Sequence, residues 1–305
     1  MACDRDDNSY NDTMPELPEV ETVVRGLRAS LVGRTVTRVI IEWPGSIAAP
    51  NPKLFAERLT GRTVRGVGRR GKWVLIDLDD DQVLLIHLRM TGQLLLEPAG
   101  CLEDRGCERA YTRVVFCLGN GLDLTDSRMD YGRLRFSDMR KFGRLILTRN
   151  PDDVLGKLGP EPLADDFTVE RFERMLAERR GRIKSLLLNQ RFLAGLGNIY
   201  VNEALWQAGI HPLRSADSLS SDEVEELHRA IRSLLRAAII EGGTTLQNGN
   251  FKQANGEAGE FADRLLVYDR EGEPCARCGI PIERVTVGQR GTYFCPGCQL
   301  RSADE

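Results

Sequence analysis

The sequence has no apolar run long enough to span a membrane, and 29% of its 305 residues are charged. We therefore expect a soluble protein with no membrane partner. Residues 1–13 are polar and acidic, so they do not resemble a secretory signal. Histidine is scarce: three are present and none lies in a His-Glu-x-x-His motif, which argues against a catalytic zinc site.

The sequence also lacks an excess of positive charge, because its formal net charge is −3. Residues 1–13 account for this value, since they hold four aspartates and one arginine. Residues 14–305 are thus neutral overall, and their cations cluster, as in the run Arg69-Arg70-Gly71-Lys72. Such a run is usually a solvated strand edge, but in a groove it would hold phosphates.

The order of the patterns predicts an α+β protein in three parts. A helical stripe over Leu17–Leu31 and short strand-like runs between Asp/Gly-rich turns predict an N-terminal antiparallel β-sandwich over 14–149. A linker over 150–166 precedes a helical domain over 167–266 and a cysteine module over 267–305. The predicted strands cover 36–42, 64–67, 73–78, 83–88, 93–97, 113–118, 133–136 and 143–148, and the later helices 167–179, 182–189, 199–208 and 221–241.

Four of the eight cysteines form two C-x2-C pairs, Cys275/Cys278 and Cys295/Cys298, which are separated by sixteen residues. This spacing is typical of a structural Zn2+ held by four thiolates, which leave no open coordination position. We predict one such ion and a hairpin between the pairs, with Arg290 near its tip for phosphate contact. The alternative is four free cysteines by chance. The other four cysteines show no pattern, which suits a reducing cytoplasm.

The stretch 14–22, MPELPEVET, reads as a protein's beginning. If Met14 is the start and is removed, Pro15 carries a secondary amine, which condenses with an aldehyde to a charged iminium. An α-amino group titrates near pH ~8, so a useful fraction of it is nucleophilic in the cell. Glu16 supplies a neighbouring carboxyl group for acid–base catalysis. The plainer alternative is that Pro15 and Pro18 punctuate a loop before a helix.

Three further segments carry candidate DNA contacts. In 192–200, FLAGLGNIY, a glycine turn opens a helix whose free N–H groups suit a phosphate, with Asn198 as N-cap; an ordinary helix–helix turn is the alternative. In 138–143, DMRKFG, Arg140 and Phe142 are two apart on an extended hairpin, so they point to the same side as an arm and a wedge. In 87–92, HLRMTG, Met90 is a second candidate wedge. For either apolar residue the alternative is a place in the core.

Taken together, these residues resemble the bacterial formamidopyrimidine-DNA glycosylases, bifunctional repair enzymes for oxidised purines. The resemblance runs from Met14 to about Gln299, and its segments occur in family order. They are 14–22, Gly71-Lys72, 87–92, 138–143, LGPEPL at 158–163, GLGNIY at 195–200, GGTTL at 242–246 and the four-cysteine finger with Gln289-Arg290. The resemblance implies a catalytic β-sandwich, a helix-two-turns-helix domain and a C-terminal zinc-finger hairpin.

The resemblance also implies an activity: excision of 8-oxoguanine and formamidopyrimidines from double-stranded DNA, then β- and δ-elimination at the abasic site. Pro15 is the implied nucleophile, and Glu16 the acid or base at the sugar. Lys72 and Arg290 are the implied acids for the two eliminations. The loop 246–261 is expected to close over the flipped base. The implied DNA contacts are Met90, Tyr111, Arg140, Phe142, Lys184 and Asn198.

The implied setting is a monomer in the bacterial cytoplasm, associated with the nucleoid. Tyr111 departs from the family pattern, in which a histidine often stands nearby, and 122–132 is longer than usual. If residues 1–13 persist, Pro15 is a tertiary amide, and the chain becomes a non-catalytic binder of lesions or abasic sites. We expect the cellular protein to begin at Met14, or a protease to remove the leader. An endonuclease VIII-like specificity for oxidised pyrimidines and a zinc-ribbon interaction module are two further hypotheses.

Overall fold

The computed structural model describes residues 14–98, 111–119, 131–246 and 249–301. The leader, 1–13, and most of 122–132 lie outside the described residues. In chain order, the helices and strands are α1 (Leu17–Leu31), β1 (Thr35–Ile41), β2 (Ile47–Ala49), α2 (Pro52–Leu59), β3 (Val64–Arg70), β4 (Trp73–Leu78), β5 (Val83–His87), β6 (Gly92–Pro98), β7 (Thr112–Gly119), β8 (Tyr131–Asp138), β9 (Arg144–Thr148), α3 (Asp152–Leu155), α4 (Val169–Ala177), α5 (Ile183–Leu187), α6 (Asn198–Gln207), α7 (Ser221–Ile240), β10 (Glu283–Val287) and β11 (Arg290–Phe294).

Two sheets form the N-terminal part, with strand orders β1-β7-β8-β6 and β2-β9-β5-β4-β3. Their facing apolar residues, among them Phe116 and Phe136, build one core. The predicted sandwich is confirmed, although its edge pair β2–β9 is parallel. Two elements were not predicted from the sequence. Strand β2 is too short to show a period of two, and α2 follows Asn51-Pro52, which reads as a turn. Asn51 is in fact the N-cap of α2 and accepts the Leu54 N–H at 3.0 Å.

Helix α1 joins the two hydrophobic cores of the molecule. Val20, Val24 and Leu27 are fully buried in the core of the sandwich, whereas Leu17 lies in the core of the helices. The apolar stripe seen in the sequence is therefore shared between two domains. Because α1 starts where the cores meet, the residues just before it lie between the domains.

Helices α4 to α7 pack around the second core, onto which the β10–β11 hairpin also packs through Tyr293. Helix α7 begins at a capping box formed by Ser220 and Glu223. The predicted linker contains the short helix α3, and the domain boundaries stay predictions. The α+β architecture of sandwich, helical domain and cysteine hairpin is confirmed. Among the described residues, no helix combines the length and apolar character needed to cross a membrane.

Candidate active site and DNA interface

The Glu16 carboxylate caps α6 across the domain boundary. Its two oxygens accept the backbone N–H groups of Gly197 at 2.5 Å and Ile199 at 2.8 Å. The prediction that Asn198 is the N-cap of α6 is wrong, because Gly197 is the N-cap and Asn198 is the first helical residue. A carboxylate of the chain itself thus accepts two N–H groups at this helix N-terminus, and the phosphate contact expected there stays a prediction.

Glu16 and Lys72 form a buried acid–base pair. Burial raises the pKa of Glu16 to about 7; the Lys72 ammonium opposes this rise and Glu19 adds to it. Burial also lowers the pKa of Lys72. The negative charge of Glu16 opposes this decrease, and the positive charge of Arg290 adds to it. Because the pKa of Glu16 is raised to about 7, this carboxyl group is able to hold or release a proton near neutral pH, beside an ammonium whose pKa is lowered.

Pro15 lies directly before this pair and is buried. It lines a cavity between the domains, together with Met90 from the sandwich, Ile199 from α6 and Thr244 from the segment after α7. The cavity thus has walls from the sandwich, from α6 and from the segment after α7, and it lies beside the buried Glu16 carboxyl group.

Glu19 has no role among those predicted from the sequence, but its carboxylate lies at the centre of the site. Its carboxylate accepts the Glu16 N–H at 2.8 Å, the Thr244 N–H at 2.8 Å and the Tyr200 hydroxyl at 2.5 Å. Burial raises the pKa of Glu19. Glu19 thereby connects the peptide after Pro15 to α6 and to the end of α7. The available signal is its position three residues after Glu16, the spacing of a capping box.

Lys184 and Asn198 hold the hairpin strand that begins at Arg290. The Lys184 side chain is fully buried, and burial together with the positive charge of Arg290 lowers its pKa to about 7, against an opposing effect of Glu16. Asn198 donates to the Gly291 carbonyl at 3.0 Å. The phosphate contacts predicted for Lys184 and Asn198 stay predictions. The Lys184 ammonium donates to three protein acceptors: Asn202 Oδ1 (3.0 Å), the Gly291 carbonyl (2.9 Å) and Thr292 Oγ1 (2.7 Å).

The candidate wedges lie on two neighbouring turns. Met90 is half-buried in the turn between β5 and β6. Arg140 and Phe142 lie in the turn between β8 and β9, where the guanidinium of Arg140 sits 5.0 Å from the centre of the Phe142 ring. The prediction of an extended conformation for this segment is wrong, because Lys141 has a φ of 62°, in the left-handed region. Phe142 is 45% exposed and Tyr111 is 49% exposed, and the DNA contacts of all four residues stay predictions.

Arg69 and Arg70 are partly buried and pair with a carboxylate of the chain itself, and the phosphate contact suggested for this run stays a prediction. They contact Glu161 in the predicted linker, at 2.7 Å and 2.8 Å, and the Gly71 N–H donates to the same carboxylate at 2.5 Å. Arg69 also pairs with Glu21 at 3.0 Å. These contacts fix the β3–β4 turn from which Lys72 projects. The sequence signal was the LGPEPL segment, but nothing in it identifies the partners of its glutamate.

The four predicted metal ligands come together at the base of the hairpin. The sulfur atoms of Cys275, Cys278, Cys295 and Cys298 all lie within 4.8 Å of one another. Tetrahedral zinc with sulfur ligands at about 2.3 Å requires sulfurs about 3.8 Å apart. The Cys275–Cys298 and Cys278–Cys295 distances of 3.9 and 3.3 Å are close to this value. The donor set therefore fits one structural zinc ion, which would cross-link the ends of the hairpin.

Three family models cover most of the chain. The formamidopyrimidine-DNA glycosylase N-terminal domain matches residues 14–145, the formamidopyrimidine-DNA glycosylase H2TH domain matches 158–249, and the zinc finger found in FPG and IleRS matches 272–301. This order agrees with the sandwich, the helices and the hairpin.

Individual relatives match over their whole length. The formamidopyrimidine-DNA glycosylase of Herpetosiphon aurantiacus is 48% identical over 289 residues, which cover 94% of this chain and 100% of the relative. The solved structure of MutM (FPG) from Thermus thermophilus is 40% identical, with a TM-score of 0.80 over 93% of this chain and 98% of that one. Wild-type Lactococcus lactis Fpg, in complex with a DNA containing N7-benzyl-Fapy-dG, is 35% identical, with a TM-score of 0.82 over 94% of this chain and 100% of that one. The chain therefore belongs to the formamidopyrimidine-DNA glycosylase family.

Proposed function

We propose that this chain excises oxidised purines, 8-oxoguanine and formamidopyrimidines, from double-stranded DNA and then cleaves the strand at the abasic site. The observation that carries the proposal is Pro15 lying directly before the buried Glu16–Lys72 pair, beside a cavity between the domains. The family's name and its solved complexes with lesion-containing DNA support the same substrate class.

In the first step, the free secondary amine of Pro15 forms a bond to C1′ of the flipped nucleotide. The N-glycosidic bond breaks, and the base leaves with the bonding electrons and takes up the proton that the Pro15 nitrogen loses. Glu16, which holds a proton up to about pH 7, gives it to O4′ as the sugar ring opens. The product is an iminium between the Pro15 nitrogen and C1′.

The iminium then acts as an electron sink for strand cleavage. Loss of the C2′ proton expels the phosphate from C3′, and loss of the C4′ proton expels the phosphate from C5′. Lys72 is the proposed acid for the first elimination and Arg290 for the second. Water finally hydrolyses the iminium and restores the amine of Pro15.

The remaining contacts serve to open the duplex. Met90, Arg140 and Phe142 fill the space left by the flipped nucleotide, with Arg140 facing the partner base, and Tyr111, Lys184 and Asn198 complete the DNA interface. We further propose that the protein is a monomer in the cytoplasm and associates with the nucleoid; the relatives it matches are bacterial.

Borohydride trapping tests the proposal, because borohydride reduces the iminium to a stable amine. Protein beginning at Met14 and protein retaining residues 1–13 are incubated with duplexes carrying 8-oxoguanine opposite cytosine. We expect a covalent adduct from the form beginning at Met14, with Pro15 identified as the linked residue by peptide mapping. The retained leader should abolish the adduct.

Two other results would replace the proposal. Binding without adduct or cleavage from both forms would establish a non-catalytic lesion-binding protein. Incision of a thymine glycol duplex in preference to the 8-oxoguanine duplex would establish the endonuclease VIII-like specificity.

A further inference from the structure

One buried carboxylate joins the two turns that carry the candidate wedges. Asp138, the last residue of β8, is fully buried. Its Oδ1 accepts the Thr91 hydroxyl at 2.5 Å and the Arg140 N–H at 3.2 Å, and its Oδ2 accepts the Gly143 N–H at 2.7 Å. Asp138 thus spans the β8–β9 turn and reaches the β5–β6 turn.

The Thr91 hydroxyl both donates and accepts a hydrogen bond between the two turns. It donates to Asp138 and accepts the Arg140 N–H at 3.0 Å. Thr91 directly follows Met90, so its hydroxyl attaches the Met90 turn to the backbone of Arg140. Gly92 of β6 pairs with Asp138 of β8, and this strand pairing places the two turns side by side.

Both turns contain residues in a backbone conformation that needs support. Arg89 has a φ of 58° and Lys141 a φ of 62°, in the left-handed region that costs a non-glycine residue free energy. Arg113 from β7 adds a third anchor, since its Nε donates to the Asp138 carbonyl at 2.8 Å. A buried, fully paired carboxylate is well suited to hold such turns.

We infer that Thr91 and Asp138 are positioning residues that couple Met90 to Arg140 and Phe142, so that both wedges enter the duplex as one unit. The inference rests on the proposed function, because it concerns opening of the duplex before chemistry. The inference distinguishes two steps of the reaction, opening of the duplex and cleavage of the strand. Extrusion of a paired lesion needs the coupled wedges, whereas cleavage of an abasic site already in single-stranded DNA does not.

The test is Thr91→Val, which keeps the shape and removes the hydroxyl. We expect excision from an 8-oxoguanine duplex to fall about tenfold, the effect of losing one or two hydrogen bonds. Cleavage of a single-stranded abasic substrate should stay within about twofold of wild type. Thr91→Ser, which restores a hydroxyl, should recover excision.

A matched control comes from the neighbouring strand. The Thr112 hydroxyl in β7 is also buried but has no hydrogen-bond partner among the described residues. Thr112→Val is therefore the same substitution in the sheet that contains β6 and β8, but without a link to break, and it should leave both rates unchanged.

A double variant shows whether Thr91 acts through the wedge. In a Met90→Ala background, Thr91→Val should cost much less than in wild type, because the element it positions has been removed. An equal cost in both backgrounds, equal losses on both substrates, or no loss in Thr91→Val would overturn the inference. Wild-type protein that fails to cleave single-stranded abasic DNA would instead overturn the proposed function.

Discussion

At the scale of single residues, Glu16 experiences opposing influences on its protonation. The N–H groups of Gly197 and Ile199 and the Lys72 ammonium favour the carboxylate, while burial and Glu19 favour the acid. Burial is the largest influence, which places the pKa at about 7 instead of the ordinary 4.5. A group that caps a helix as an anion and still holds a proton near neutrality is suited to protonate a sugar oxygen.

This pKa predicts a pH dependence of stability. Between pH 4.5 and about 7, the folded protein keeps a proton on Glu16 that the unfolded chain releases, so the free energy of unfolding falls as the pH rises. Relative to Glu16→Gln, which does not ionise, wild type should lose about 3 kcal/mol across this range. Urea denaturation of both proteins at several pH values measures the difference. A difference that does not change with pH would contradict the raised pKa.

Gly197 predicts the effect of a single added methyl group. A Cβ there would lie 2.4 Å from Glu16 Cδ and 2.6 Å from Lys72 Nζ, so both side chains, or the backbone of residue 197, must move. We expect Gly197→Ala to reduce borohydride trapping about a hundredfold, because a misplaced catalytic group loses alignment.

The control for this substitution is Gly68→Ala in β3, where the new Cβ would meet no heavy atom within 4 Å. It should trap as well as wild type. If Gly197→Ala traps normally, Glu16 and Lys72 are not the pair that acts on the sugar.

At the scale of elements, the β10–β11 hairpin has the four-cysteine site at its base and is held by Lys184 through Gly291 and Thr292 of β11. Chelation of zinc should free the hairpin, so that the Gly291 carbonyl and Arg290 lose their fixed position. We expect a metal content of one zinc per chain, and a fall in affinity for lesion DNA of about tenfold or more after chelation. Fluorescence anisotropy with labelled DNA measures the loss.

Cys117→Ser is the matched control, because Cys117 lies in β7, in a different domain from the cysteine cluster. Its zinc content and affinity should equal those of wild type. Unchanged affinity in the zinc-free protein would mean that the hairpin keeps its position without the metal.

At the scale of the whole molecule, a segment after α7 crosses back to the sandwich. Phe251 and Ala254 are buried in the sandwich core, and the Leu96 N–H of the edge strand β6 donates to the Ala254 carbonyl at 2.8 Å. Part of the loop expected to close over the flipped base is thus attached to the other domain. Both α1 and this segment therefore connect the sandwich to the helical domain.

Phe251→Ala should weaken that connection. We expect the free energy of unfolding to fall by about 3 kcal/mol, as for other buried phenylalanines. Hydrogen exchange at the Leu96 amide should accelerate, which mass spectrometry of β6 peptides detects. Ile240→Ala, at a side chain that is 81% exposed, should change neither quantity. Unchanged exchange in Phe251→Ala would show that this segment does not anchor to β6.

The sequence by itself determined the features that depend on local spacing. The bounds of α1 and β4 agree with the apolar period, and the two C-x2-C pairs determined a four-sulfur metal site, because their chemistry lies within a few residues. The motif series was specific enough to indicate the family.

Tertiary structure alone decided which partners those residues have. The Glu16 carboxylate caps a helix about 180 residues away, Glu161 pairs with Arg69 and Arg70, and Lys184 donates to Gly291 and Thr292. No local pattern encodes these contacts, since each joins side chains from separate elements whose approach is set by core packing. The same packing buries Glu16 and Lys72 and so moves their pKa values, which a sequence motif does not reveal.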